Sequence, residues 1–246
     1  MQFPENVTRL CGSRKFSFGC HAGVKCFTEC CRELELSLTP YDFLRLRKNL
    51  ALSSADFIKQ YIVIEQEESD VFPCFYLGMV DDGRASCPFV GPAGCKVYED
   101  RPGACRAYPV GRGAMLGADG RQQEIHVLVK ENHCFGFEES QSFSVAEWFH
   151  NQGLADYNTM NDEVMSLLQH DQIRQGARFS PRQIEFFLLA LYKLDEFREF
   201  VSGAEFPARF KIAEQDRQAA LADEKSLLEF GISWSIKTLF DEGQWG

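Results

Sequence analysis

Apolar residues keep a helical rhythm in the second half of the chain and lose it in parts of the first. Ile184, Phe187, Leu188, Leu191 and Leu194 recur every three or four positions, which places them on one helical face. They predict a buried stripe that continues at Phe197 and Val201, with Asp195 narrowing it. Ser180, Pro181 and Gln183 supply its start: a hydroxyl N-cap, a proline in the first turn and an amide three residues on. Ser144 with Glu147 opens another helix before Trp148 and Phe149. Residues 156–169 read as a further helix, and 208–240 as one or two more, interrupted near Gly231. Upstream, Thr39 caps a helix from Pro40 to about Leu50 with Asp42 in its first turn. Ser53 and Asp56 open a short one carrying Phe57, Ile58 and Tyr61. Val71 to Val80 is aromatic and apolar and predicts a strand. Asp82-Gly83 is a turn signal, with 84–86 returning against that strand. A second hairpin is expected from 114–117 and 123–129 around Asp119-Gly120.

Two stretches hold no period, residues 11–36 and 87–109, the second punctuated by Pro88, Pro92, Pro102 and Pro109. They carry most of the cysteines. Cys20, Cys26, Cys30 and Cys31 form one bunch. Cys87, Cys95 and Cys105, followed by Cys134, form the other, and no cysteine comes later. Cys11 and Cys74 stand outside the pattern and read as small apolar residues. The expected fold class is α+β: an irregular cysteine-rich metal-binding region with short antiparallel hairpins, then a mainly helical C-terminal half. The expected domains are residues 1–140 for the cysteine cluster and 141–246 for a helical region packed on it. The composition shifts near residue 140 without a Pro/Gly/Ser-rich linker.

Composition narrows the chemistry. With 246 residues, 45% hydrophobic and 22 of them Phe, the chain can bury a core without staples. Its net charge of −10 and lack of a basic stripe argue against a nucleic-acid surface. The N-terminus lacks the cationic and apolar pattern of a secretory leader. No run of about 18 uncharged apolar residues is present to span a membrane; the longest candidate, from Ile184 to Leu194, contains Glu185 and Lys193. The expected location is cytoplasmic and reducing, where grouped thiols hold metal more often than they pair. The ten cysteines, about 4% of the chain, fall below the share of roughly 8–10% in small disulfide scaffolds.

Four thiolates satisfy one zinc ion or one iron–sulfur cluster. Eight clustered cysteines therefore make two four-ligand centres, or one filled centre with accessory thiols. Neighbouring side chains on an extended backbone point apart, so Cys30 and Cys31 would serve different centres, or one would stand beside the metal as an accessory thiol. A vicinal disulfide is the third option. Neither bunch has the spacing of a zinc ribbon or of the tight ferredoxin run, so the spacing leaves iron and zinc both open. A four-thiolate centre on zinc or on a cubane keeps two negative charges and needs cations or N–H donors nearby. Arg32, Arg101 and Arg106 adjoin candidate ligands, the alternative being ordinary surface residues. His21 and His133 also adjoin cysteines and read as hydrogen-bonding neighbours before ligands. The glycine-rich run 111–120 lacks the Gly-Lys-Ser/Thr ending of a phosphate loop and reads as a hairpin. No nucleophile elbow, His-Glu-x-x-His or dinucleotide fingerprint is present.

The motifs Phe18-Gly-Cys20, Cys26-Phe-x-x-Cys30-Cys31-Arg32, Leu38-Thr39-Pro40-Tyr41-Asp42, Cys87-Pro88-Phe89, Gly94-Cys95-x-x-Tyr98-Glu99-x-Arg101-Pro102 and Cys105-Arg106-x-x-Pro109 resemble the YkgJ family of cysteine-cluster proteins. His133-Cys134-Phe135-Gly136 resembles its final cysteine. The likeness covers roughly residues 16–140. The helical tail also resembles those of some bacterial members. The gaps after Cys20 and Cys26 are longer than in the commoner family pattern, which bears on the geometry of the first centre. The resemblance implies chelation of zinc or iron by Cys20, Cys26, Cys30, Cys31, Cys87, Cys95, Cys105 and Cys134. The leading expectation is an iron–sulfur cluster (4Fe-4S) in one or two centres. Its role would be redox, or support of group transfer, with an unknown protein or redox partner and neither nucleic acid nor membrane. The rival is a zinc-stabilised protein-interaction module without redox activity. Some flagellin lysine methylases resemble the family too, so a methyltransferase-like enzyme is a third reading; the chain shows no fingerprint for its cosubstrate.

Overall fold

The computed structural model describes residues 3–117 and 120–240; Asp119 of the expected second turn lies outside them. The architecture is α+β, with short antiparallel hairpins in the N-terminal half and helices in the C-terminal half. Contacts group the chain into two compact units. Met1–Ser37 joins Tyr76–Thr159 in one, and Leu38–Phe75 joins Met160–Gly246 in the other. Each unit is thus assembled from two stretches, where the composition had suggested one cut near residue 140. Composition follows where cysteines and helices fall along the chain, whereas units follow what packs together.

The first unit is built on a three-stranded antiparallel sheet. Gln122–Val129 lies in the middle, paired with Val110–Leu116 on one side and Val7–Leu10 on the other. Gly111 and Gly113 of the glycine-rich run fall in the strand Val110–Leu116, one arm of the expected hairpin. Gly111 and Gly113 lie under Val127 and Ile125, whose side chains come within 2.9 Å of where a Cβ would sit. A smaller pair joins Phe16–Ser17 to Ser142–Phe143. Between them packs an aromatic cluster of Phe16, Phe18 and Trp148 with Phe137, Phe143 and Tyr108. Phe18 meets Tyr108, Phe137 and Trp148 edge-on. Trp148 anchors the helix Val145–Asn151 by donating from Nε1 to the Ala107 carbonyl at 2.8 Å. The expected return strand reduces to a bridge between Val80 and Ser86, turning through Gly83 at φ 75°.

The second unit is helical. Pro40–Asn49 and Pro181–Tyr192 each begin with a full capping box, Thr39 with Asp42 and Ser180 with Gln183. Ser54–Tyr61 follows its Ser53 cap. Phe43 packs edge-on against Phe57, Phe75 and Tyr192, while Phe75 and Tyr192 stack with centroids 3.8 Å apart. Two expectations change. The apolar stripe is split at Lys193 into Pro181–Tyr192 and Leu194–Ser202; Asp195 accepts from the Ser54 N–H at 2.9 Å. The last helix, Glu224–Phe240, runs through Gly231 without interruption, and the chain breaks earlier, between Glu214–Ala220 and Glu224. Among the described residues, no helix is long and apolar enough to cross a membrane.

Candidate metal centre

All eight clustered cysteines fall in the first unit, brought there by backbone hydrogen bonds. Glu29–Cys31 is a single 3-10 turn entered through Thr28 at φ 71°. The Cys31 carbonyl accepts from the Cys87 N–H at 2.8 Å, and the Ala85 carbonyl from the Glu33 N–H at 2.9 Å. Arg32 Nη1 donates to Ser86 Oγ at 2.5 Å beside them. The second bunch therefore starts against the first. Cys95 ends a two-residue hairpin strand paired with Val90. Gly94 precedes it at φ 110°, where the Phe27 ring stands 3.0 Å from the place of a Cβ. From the other direction, the Gly19 N–H donates to the Gly136 carbonyl at 2.9 Å, which aligns Cys20 with the Cys134 segment. The Phe135 N–H donates to Cys26 Sγ at 3.1 Å.

One pocket collects Cys20, Cys26, Cys30 and Cys134, with Phe18 and Tyr108 in its wall. Cys20 feels the other three electrostatically. Cys30 also reaches the second bunch, because Cys87 feels Cys95 and Cys30, and Cys95 feels Cys30 and Arg101. Cys105 is exposed and faces Arg101. The expectation for Cys30 and Cys31 assumed extended backbone. In the 3-10 turn the two thiols instead lie close enough to influence each other's ionisation. All ten cysteines are free thiols. Cys11 is exposed, not packed as a small apolar residue, and Cys74 lies in the second unit beside Tyr192.

Among the described residues, no three Cys, His, Asp or Glu side chains stand close enough to hold one ion. Four of the thiols line one pocket without closing on a point. Their surroundings fit a bound ion. The Phe135 N–H already donates to sulfur, as metal thiolates need. The Tyr108 hydroxyl is buried without a well-formed hydrogen bond, and Cys134 and Glu131 are its polar neighbours. An ionised Cys134 would give that proton an acceptor.

Arg101 and Arg106 are each only 8% exposed, so neither is the ordinary surface residue that the sequence left open. Arg101 donates to the Tyr98 carbonyl and to Gln152 Oε1, both at 2.6 Å, and lies over the Tyr98 ring. Arg106 donates to the carbonyls of Arg101, Gln152 and Glu99, over the Tyr157 ring. Arg32 is half-buried and pairs with Glu29. Both histidines have other partners. His21 Nδ1 accepts from the Gly23 N–H and its Nε2 lies 3.4 Å from Glu139, while His133 Nε2 is 3.3 Å from Glu131. Tyr108 entered the sequence reading only as part of the motif from Cys105 to Pro109, with no role given, and Gln152 escaped it without a signal.

Burial is the main reason the thiols resist ionisation. It raises Cys20 to about 11 and lifts Cys87, Cys95 and Cys134. For Cys30 the hydrogen bond with Cys31 leads and burial follows. A raised folded pKa favours the folded chain fully below the ordinary thiol pKa of 9.0. That contribution is lost as the unfolded thiols ionise and the folded ones do not. The metal-free protein is therefore expected to lose stability as pH rises from 9 towards 11, measured as a falling thermal midpoint. Metal uptake must displace these protons, so apparent zinc affinity should rise with pH between 6 and 8, by about tenfold per pH unit for each proton displaced. An affinity flat across that range would contradict thiol ligation.

Residues 20–135 match a family model described as "CxxCxxCC: Putative zinc- or iron-chelating domain". The match opens on Cys20 and closes just after Cys134, so it contains every clustered cysteine and excludes Cys11. No curated protein and no solved structure matches the chain.

Proposed function

Because residues 20–135 belong to this cysteine-cluster family of zinc- or iron-chelating domains, we propose that the protein carries an iron–sulfur centre with a redox role. Cys20, Cys26, Cys30 and Cys134 hold the first centre. Cys31, Cys87, Cys95 and Cys105 hold a second one alongside. The observation that carries the reading is a single pocket lined by thiols from three separated parts of the chain, 114 positions apart at the extremes, with an N–H donor to sulfur beside it. When bound, such a cluster takes up and returns single electrons.

The chain's own residues bind, neutralise and shield. The eight thiols are the ligands. Arg101 favours the ionised form of Cys20 and Cys95. Phe18 and Tyr108 close the apolar side of the pocket and limit water there. Cys20 and Cys105 are the exposed residues of the set, which marks the side from which a redox partner protein can approach. Anaerobic purification followed by iron, acid-labile sulfide and visible absorption measurements tests this. A brown protein with iron and sulfide, bleached reversibly by dithionite, is expected. A colourless protein with stoichiometric zinc would overturn the cluster and the redox role while keeping the chelating ligands.

A further inference from the structure

Two guanidinium groups sit side by side in the first unit, each 8% exposed, and neither meets a carboxylate among the described residues. Their partners are neutral: main-chain carbonyls, the Gln152 amide and two tyrosine rings. Gln152 serves both, its side-chain oxygen accepting from Arg101 and its carbonyl from Arg106. Arg106 Nε donates in turn to the Arg101 carbonyl at 3.0 Å. Buried charges are normally paired, and guanidinium cannot shed its proton to escape the cost. The pair is therefore held in place by a cage that fixes its geometry and leaves its charge unbalanced.

The thiol set lies within electrostatic reach of the pair: Arg101 faces Cys20, Cys95 and Cys105, and Arg106 directly follows Cys105 in the chain. We infer that Arg101 and Arg106 are the built-in countercharge of the metal centre, set by Gln152, Tyr98 and Tyr157 to offset the two negative charges that four thiolates retain on zinc or on a cubane. This rests on the metal-centre reading above. It extends that reading to a pair of residues that are not themselves ligands and act through charge. It also gives the metal-free and loaded states opposite demands: the two cations repel each other in the first and are neutralised in the second.

The test compares Arg101→Gln with Arg101→Lys in the full chain, using zinc alone as the probe in competition with a chromophoric chelator. Arg101→Gln is expected to weaken zinc binding by about 10- to 100-fold, while its metal-free form melts no lower than the parent protein. Arg101→Lys, which keeps the charge and loses the fork, should bind zinc close to the parent level. Equal losses in both variants would mean that the guanidinium's shape matters and its charge does not, and the inference would fall. So would an unchanged affinity in Arg101→Gln. If Arg101→Gln does not fold, Arg106→Gln against Arg106→Lys makes the same comparison with the same criteria. A parent protein that binds no zinc and no iron would sink the metal-centre reading itself, a result separable from any difference between variants.

Discussion

Replacing Cys134 with Ser is expected to empty the first centre. Cys134 is the ligand that the pocket recruits from farthest along the chain, and Cys26, Tyr108 and the Gly136 N–H converge on its sulfur. Apparent binding energies of structural zinc are on the order of 12 kcal/mol over four ligands, so one ligand accounts for roughly 3 kcal/mol, or about 100-fold in affinity. Metal content per chain after purification should fall accordingly, and the metal-dependent part of the thermal midpoint should fall with it. Cys11→Ser and Cys74→Ser are the controls. The first is exposed and the second belongs to the other unit, so both should keep the parent metal content. Undiminished metal in Cys134→Ser, or equal losses in the controls, would mean that the ligand set is drawn wrongly.

Gly231→Ala should produce the largest loss of stability that spares the metal. Gly231 lies mid-helix, where alanine would ordinarily gain up to about 1 kcal/mol. Here its Cβ would stand 2.5 Å from the Ala190 carbonyl oxygen and 3.3 Å from the Phe197 ring. The oxygen belongs to the backbone of the facing helix, so the helices must separate, and overpacking of this kind costs about 1–3 kcal/mol. The clash outweighs the propensity gain. A midpoint lower by about 2–4 °C follows for a net loss of about 1 kcal/mol in a chain of this size. Calorimetry on the metal-free variant checks it, with metal stoichiometry as the companion measurement. A raised midpoint would show that the two helices are not in such close approach.

These two residues mark what a sequence does and does not reveal. Thr39, Ser144 and Ser180 were readable because a cap and its reciprocal partner lie within four positions. Gly231 was misread as an interruption because its meaning depends on Ala190, which no local window contains. The strand Val7–Leu10 was missed for the same reason: it is four residues long, and its partner begins more than 110 positions later. At the site, the grouping of cysteines was legible, but the adjacency of Cys31 and Cys87 is a matter of one long-range hydrogen bond. The 3-10 turn that brings the Cys30 and Cys31 thiols together left no mark in the pattern of apolar residues. Arg101 and Arg106 looked like any arginine next to a cysteine until the Gln152 cage covered them.

The place where the chain leaves the thiol-bearing unit is also where it comes back. Ser37 and Tyr76 face each other in an antiparallel bridge, and the Leu77 N–H donates to the Leu36 carbonyl at 2.9 Å. That clasp joins residue 37 to residue 76 within the thiol-bearing unit and so closes the chain around Leu38–Phe75. Ring closure entropy grows only slowly with the length of such an excursion. All eight clustered cysteines lie outside Leu38–Phe75, so their placement depends on the clasp more than on the number of residues it encloses.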